Sequence, residues 1–469
     1  MKKFFLEDLQ NIINGNILNW NTNRPVELFV EQPDKPLLNC LYYLFDGCDD
    51  EDKLLKKLVE CGATGVIIKA PHRLNIYKWK KFKIGVIEVE HLTESYLELA
   101  KVFRSQFNIP IIQVIGSSGK TTTKDMIGAV LNAGIPTLVG YNNYNAPSGV
   151  AYNLFSIRKY HRAAVLEVGM KGRGIMSLSS EMVKPNIGVL TSIQRAHLVS
   201  LGSIENIIEA KAEIFDYLDE AGLLIINGED ENCINFPIGR YKGKVLKYGF
   251  SDKFDLWASN IKYKNFKSYF RANGPGIEID CILNTVGKYN IANALAAILV
   301  GLQLGLRKED IKRGLSNFEP SSGRLKIYDG IKGTVLINDN FNANPDSTRQ
   351  LLQEIPYFTD DKPLMLVLGD MERPDEEVRQ YAKEVHFSIG EQLAQIKFDS
   401  LIAIGKWAKE YVRGAMSKGV PQSKMVYFET VEKAEKYFKS SIIPGSVIVF
   451  KASVYVPIRH LIRSLGVEY

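Results

Sequence analysis

The chain has 469 residues, 45% of them hydrophobic and 24% charged. That balance excludes a disordered, collagen-like or repeat-only polymer, and the length predicts about three domains at about 100–200 residues each. Basic residues number 59 and acidic residues 53, and the resulting net charge of +6 is too mild an excess to argue for a nucleic-acid partner.

At the N-terminus the apolar start is broken by Glu7 and Asp8, so no signal peptide is predicted. Tyr42–Phe45 and Gly65–Ile68 read as strands, and Asp52–Cys61 reads as a helix with Leu54, Leu55, Leu58 and Val59. A helix over about Leu92–Phe107 runs into Asn108-Ile109-Pro110. Proline restricts the residue before it, so a domain boundary is placed there. Ile111–Ile115 is a short apolar strand, and Ala163–Val168, Ile187–Thr191, Leu223–Ile226 and Lys244–Tyr248 follow among helical stretches. That alternation predicts a mainly parallel sheet with covered faces.

The apolar run Ile291–Leu304 contains Asn293 and Gln303. It is shorter than the about 18–20 residues a bilayer span needs, so it reads as a buried helix and no membrane span is expected. Pro320–Gly323 marks the next boundary. Beyond it, strands Val335–Ile337, Leu364–Leu368, Leu401–Ile404 and Val447–Phe450 alternate with helical stretches such as Glu376–Leu393, as in a second doubly wound domain. The predicted domains are therefore 1–108, 109–322 and 323–469 of an α/β chain. The five cysteines, Cys40, Cys48, Cys61, Cys233 and Cys281, are sparse and form no CxxC pair. Neither a disulfide framework nor a structural zinc site is expected, and a reducing cytoplasm fits.

The strongest local motif is Gly116-Ser117-Ser118-Gly119-Lys120-Thr121-Thr122, between a predicted strand and a predicted helix. Glycines let backbone amides turn inward around phosphate oxygens, and a helix N-terminus adds partial positive charge. Lys120 is placed to neutralise the β- and γ-phosphates and Thr121 to put its hydroxyl on Mg²⁺. The competing reading is a glycine turn ahead of an ordinary helix. The agreement of strand, loop, lysine, threonine and helix favours the phosphate reading.

Further along come Leu166-Glu167-Val168-Gly169, Ala196-His197-Leu198, Glu209–Phe215, Asn227–Asp230 and Gly287–Ala297. Gly323-Arg324, Asp339–Ser347 and Leu368–Met371 complete the series. With the short phosphate loop, this ordered set resembles the Mur ligase family over about residues 109–460. The runs Asn342–Ser347 and Leu368–Met371 are most similar to the branch that joins D-alanyl-D-alanine to a UDP-N-acetylmuramoyl tripeptide. The resemblance implies a small α/β N-terminal domain for a UDP-sugar, a central phosphate-loop ATPase domain and a C-terminal Rossmann-like domain. It implies ATP and Mg²⁺ as cofactors, an acyl-phosphate intermediate, and a carboxylate donor and an amine as small-molecule partners. A monomer is the default.

By the same resemblance Lys120, His197 and Lys211 form the catalytic set. Thr121 and Glu167 hold one Mg²⁺, His197 serves a second, and Lys211 is a lysine that can be carbamylated. Asn290 and Asn293 lie on the adenine side. Arg324, Asp339 and Asn344 meet the nucleotide from the C-terminal domain, while Asn143, Asn145 and Lys451 face substrate. Plainer readings exist: Glu167 as a strand-edge carboxylate, His197 as a structural histidine, Lys211 as a solvated helix lysine. Asn293 could simply pack, and Asp339 and Asn344 could shape turns.

Both substrate-facing ends depart from the family pattern. Asn21–Pro25 and Phe45–Asp50 keep only fragments of the UDP-sugar motifs. The terminal lysine-glycine-serine-arginine run stands here as Lys451-Ala452-Ser453-Val454. Glu372-Arg373-Pro374 replaces Glu-Leu-Gly, Ala146 replaces the second asparagine of the loop, and Tyr289 replaces a histidine. Two enzymatic expectations therefore stand: the peptidoglycan pair, or the same chemistry on another acid and amine. A non-catalytic nucleotide-binding module is the rival from a different class.

Overall fold

In the computed structural model, residues 3–19, 24–30, 38–45, 50–72, 74–194, 201–357, 359, 361–371 and 379–467 are described. Among them the strands sort into three sheets of five, nine and six strands. The first sheet runs in the order Asn16–Asn19, Gly85–Val89, Gly65–Lys69, Cys40–Tyr43, Leu28–Val30. Only the Asn16–Asn19 edge strand is antiparallel to its neighbour. Successive side chains of a strand point to opposite faces. Tyr42 accordingly packs with Leu55, Leu58 and Trp79 on one side, and Tyr43 with Leu9, Leu99 and Phe103 on the other. The second face continues into the central domain through Phe29 and Phe155, whose ring centroids are 4.8 Å apart.

The central sheet places Ile111–Ile115 between Ala163–Glu167 and Ile187–Leu190, all parallel. Leu223–Asn227 and Lys244–Gly249 extend it in parallel. These strands are apolar throughout because both faces are covered, as in other parallel sheets. Beyond them lies a feature that the uniform strand–helix alternation did not predict. Leu256–Lys264, Lys267–Gly274 and Ile277–Leu283 form an antiparallel meander. Each alternates more buried with less buried residues, the period of a sheet wet on one side. Asn265 and Phe266 both have positive φ at the first turn, the conformation a two-residue hairpin loop needs.

Helix Lys288–Gln303 is buried from Asn290 to Gly301 and shares a core with the meander and helix Lys120–Asn132. It is a core helix, and no helix among the described residues is long and apolar enough to cross a membrane. The third sheet has the order Lys326–Asp329, Val335–Asp339, Val447–Lys451, Leu364–Gly369, Ser400–Ile404, Met425–Phe428. It is parallel apart from its first strand. The last strand of the chain inserts between Val335–Asp339 and Leu364–Gly369. That insertion reverses the strand order there, and open α/β sheets form their ligand crevice at such a point. Asp339 and Lys451 sit at the carboxyl ends of the strands that meet at this point. Helix Glu376–Leu393 is seen from Arg379 onward.

Leu295 lies in the buried helix with no exposed surface. Leu295→Ala is expected to destabilise the central domain by about 2–5 kcal/mol, since a buried Leu-to-Ala change leaves a cavity. A urea titration monitored for that domain's transition checks this.

Candidate active site

The strand Ile111–Ile115 ends in a turn that only glycine can make. Gly116 has φ +148°, and a Cβ there would lie 2.1 Å from Thr191 Oγ1. Gly119 has φ +81°, and its Cβ would press against Asn293 Oδ1 at 3.0 Å. The loop is held from the neighbouring strand's exit. Ser117 N donates to Ser192 O at 2.8 Å. Ser118 N donates to Ser192 Oγ at 3.0 Å, and Thr191 Oγ1 donates to Ser118 O at 2.6 Å. Helix Lys120–Asn132 then starts at the cavity with no side chain capping its N-terminus, an anion-favouring end. Lys120 Nζ donates to Gly116 O and Ser117 O at 3.0 and 3.1 Å. Burial lowers its pKa and nearby Glu167 opposes that shift.

Glu167 ends strand Ala163–Glu167 and is 3% exposed. Its Oε2 accepts from Thr121 Oγ1 at 2.7 Å and its Oε1 from Asn145 Nδ2 at 2.6 Å. Arg324 reaches the same hydroxyl from the C-terminal side, with Nη2 to Thr121 Oγ1 at 3.3 Å. Its guanidinium lies over Phe341 at 4.2 Å. Arg324 Nε is buried with no hydrogen-bond partner among the described residues, a donor available to an anion. Asn344 Nδ2 donates to Ser118 Oγ at 3.4 Å, while Asn344 Oδ1 caps helix Pro345–Glu354 through Ser347 N at 2.8 Å. Lys451 Nζ donates to Asp339 Oδ2 at 2.5 Å and to Asn342 O at 3.0 Å.

One cavity of about 650 Å³ is lined by all of these residues together with Asn143, Lys211, Asn290, Asn293, Ala146 and Tyr289. The structure therefore brings every expected site residue except His197 to one wall system. His197, Asn21–Asn23, Asp46–Asp49 and Glu372–Pro374 lie outside the described residues. Asn290 spends its amide on Thr285 Oγ1 and Val286 O at 3.2 and 2.8 Å. Asn293 donates to Asn290 Oδ1 at 3.4 Å, beneath Gly119. Lys211 is 3% exposed, far from a solvated helix lysine, and its side-chain amine makes no hydrogen bond among the described residues. Burial, helped by the Lys120 charge, brings its pKa down to about 7.

Sequence reading missed Thr191 and Ser192, which brace the loop, and Phe341, which carries the Arg324 guanidinium. It also missed Glu354. Its carboxylate accepts from Lys288 N at 2.8 Å and so caps a central-domain helix from the C-terminal domain. The available signal was local in each case: hydroxyls just after a strand that pairs with the loop strand, and an acid at the end of a helix.

The phosphate loop and the C-terminal crevice, sharing one cavity, define a nucleotide-dependent enzyme whose site is assembled from two domains. Comparison with known proteins narrows this. The Mur ligase middle domain matches residues 114–301, and the Mur ligase, glutamate ligase domain matches residues 323–454. The UDP-N-acetylmuramoyl-tripeptide–D-alanyl-D-alanine ligase of Bacillus subtilis (strain 168) is 30% identical over 381 residues, 81% of each chain. The same-named ligase of Buchnera aphidicola (subsp. Baizongia pistaciae) is 27% identical, covering 92% of this chain and 90% of that one. In fold, the chain is similar to MurF from Acinetobacter baumannii, with TM-score 0.84, 24% identity and 99% of both chains covered. The MurF ligase from Thermotoga maritima in complex with ADP gives TM-score 0.76 at 20% identity, covering 93% of this chain and 96% of that one. The chain belongs to the Mur ligase family.

Two outcomes follow from this geometry. Gly116→Ala is expected to weaken ATP binding at least about tenfold, equivalent to about 1.4 kcal/mol, measured by titration calorimetry. The second concerns Lys211, which is neutral in the folded protein above about pH 7 but protonates near 10.5 in its unperturbed state. Between those values the unfolded chain binds more protons, so this position's contribution to stability rises with pH. Below about pH 7 the buried charge exacts its full penalty. Lys211→Met is therefore expected to raise the melting temperature most below pH 7, with the gain shrinking toward pH 10.5. Melting curves across that range in bicarbonate-free buffer check the trend.

Proposed function

We propose that the protein is an ATP-dependent carbon–nitrogen ligase that joins D-alanyl-D-alanine to a UDP-N-acetylmuramoyl tripeptide. The observation that carries the reading is the convergence of Lys120, Thr121 and Glu167 with Arg324, Asp339 and Lys451 on one cavity. Phosphoryl transfer to a carboxylate brings two anions together, so the site must supply cations and donors fixed in advance. Lys120 and the loop amides take the β- and γ-phosphates, and Arg324 Nε is free to take a phosphate oxygen.

The donor set also suits Mg²⁺. Thr121 and Glu167 present hard oxygens 2.7 Å apart, and no group of three His, Cys, Asp or Glu that could form an all-protein cage stands among the described residues. Mg²⁺ keeps waters and phosphate oxygens among its ligands and needs few from protein. When bound it neutralises charge between the nucleotide phosphates.

In the first step a substrate carboxylate oxygen attacks the γ-phosphorus. An O–P bond forms, the bridge to the β-phosphate breaks, and ADP carries away the electron pair. In the second step the amine of the dipeptide attacks the acyl carbon, a C–N bond forms, phosphate leaves and the amine loses a proton. The C-terminal domain, through Arg324 and Asn344, covers the loop and keeps water from the acyl phosphate. Asn143, Asn145 and Lys451 are assigned to the substrates. Lys211, with a pKa near 7, holds enough neutral amine at neutral pH to attack CO₂. That forms an N–C bond, releases a proton and leaves a carbamate beside Lys120. His197 is assigned to a second magnesium on the family pattern alone.

A second reading keeps the chemistry and changes the pair. It is favoured by Val454, 63% exposed, which stands where the family run has an arginine. Arginine grips a carboxylate through two parallel bonds, and valine cannot.

The deciding experiment is phosphate release from Mg-ATP with the tripeptide donor and D-alanyl-D-alanine, together and singly. Release that needs both, with the joined product seen by mass, supports the first reading. Release only with another acid and amine supports the second. Lys120→Ala is expected to lower kcat by about 10²-fold or more, the cost of removing a preorganised charge from a transition state. Loss of turnover with retained melting temperature separates that effect from misfolding.

A further inference from the structure

Lys124 is buried, with 2% of its side chain exposed, although it lies one turn beyond Thr121 on helix Lys120–Asn132. A buried ammonium is retained only where fixed partners replace its water. Here Nζ donates to Gly140 O and Asn142 O, both at 2.6 Å, and pairs with Asp125 Oδ1 at 3.0 Å. The two carbonyls belong to the loop that delivers Asn145. Asn153 ties the same loop from its other side. Its Oδ1 accepts from Tyr141 N at 2.8 Å and its Nδ2 donates to Tyr144 O at 3.0 Å. The loop is closed onto the segment that follows strand Ala163–Glu167 by Gly169 N donating to Asn145 O at 2.9 Å. Asn142 takes φ +44° within it, a strained conformation that persists only where neighbours hold it.

One helix thus reaches both oxygens of Glu167. Thr121 bonds Oε2 directly, and Lys124 holds the loop whose Asn145 bonds Oε1. We propose that Lys124, together with Asn153, is a positioning residue that sets the Asn145 loop and through it the orientation of the Glu167 carboxylate toward the nucleotide's magnesium. This rests on the ligase reading for its chemical purpose, but its geometry does not. Groups that orient a metal-binding carboxylate typically alter metal affinity or activity about 10–100-fold when removed.

The test reads binding rather than turnover. The Mg²⁺ concentration giving half-maximal binding of a non-hydrolysable ATP analogue is measured by calorimetry for wild type, Lys124→Met, Asn145→Ala and the double variant. Hydrogen exchange is followed across residues 140–146. The expected result is about a tenfold rise in each single variant, no further rise in the double variant, and faster exchange at 140–146 in Lys124→Met. Multiplied effects in the double variant, or unchanged exchange in the loop, overturn the proposal. Should Lys124→Met fail to fold, Asn153→Ala acts on the same loop and must give the same pattern with Asn145→Ala; independence there overturns it as well. If wild type binds Mg-nucleotide but joins no peptide in the assay of the proposed reaction, the substrate reading fails and this inference stands or falls on its own data.

Discussion

The site is organised around one buried carboxylate. Glu167 sits at the end of a fully buried strand, where an unpartnered charge would cost several kcal/mol. Its two oxygens are taken by a hydroxyl from the phosphate-loop helix and an amide from the following loop. Each of those donors is itself held: Thr121 by the helix start and Arg324, Asn145 by a loop tied to Lys124 and Asn153. The geometry around Glu167 is therefore overdetermined. Catalytic preorganisation needs that property, because a group that must reorient during the reaction gives back part of what it stabilises.

Two domains meet at the phosphate loop beside this carboxylate. Arg324 contacts Thr121, and Asn344 contacts Ser118, from beyond the domain boundary. Neither bond is strong. The contact is reinforced away from the chemistry, where Glu354 caps helix Lys288–Gln303, and the boundary segment itself is held by Ser321 Oγ donating to Asp125 Oδ2 at 2.7 Å. Asp125 is also the ion-pair partner of Lys124. The boundary segment is thus connected to the loop that carries Asn145 through a short chain of polar contacts. Exposed and half-exposed polar contacts of this kind break and form at low cost.

The strands of the parallel sheets were legible because burial on both faces demands continuous apolar runs. Ile111–Ile115 is seen where it was read, and Leu364–Gly369 and Val447–Lys451 extend one residue beyond their predicted ends. The meander was not legible. Leu256–Lys264 buries only Leu256 and Ala258 and exposes Asn260, Lys262 and Lys264, and no strong apolar run marks it. At the site, the phosphate loop could be read because every residue type in it answers to one demand. Lys124 could not: a lysine on a helix is usually solvated, and only the fold shows that its ammonium meets two carbonyls 16 and 18 residues along the chain. Phe341 and Glu354 were hidden for the same reason: Arg324, which Phe341 carries, comes from another stretch of the same domain, and Lys288, which Glu354 caps, lies across the domain boundary.

The departures from the family pattern are not scattered at random over the cavity. Ala146 and Tyr289 line the same cavity as the phosphate loop, yet the polar bonds around Glu167 do not involve them. Val454 lies past the end of the last strand, following Ser453, whose hydroxyl is buried without a partner among the described residues. Lys451, three residues earlier, remains buried and paired with Asp339. The cation at the strand end is thus kept while the guanidinium beyond it is gone. A guanidinium offers a carboxylate two parallel hydrogen bonds, and a valine side chain offers none. The bonds that hold Glu167 and Lys451 are therefore intact in a crevice whose departures from the family pattern fall on Ala146, Tyr289 and Val454.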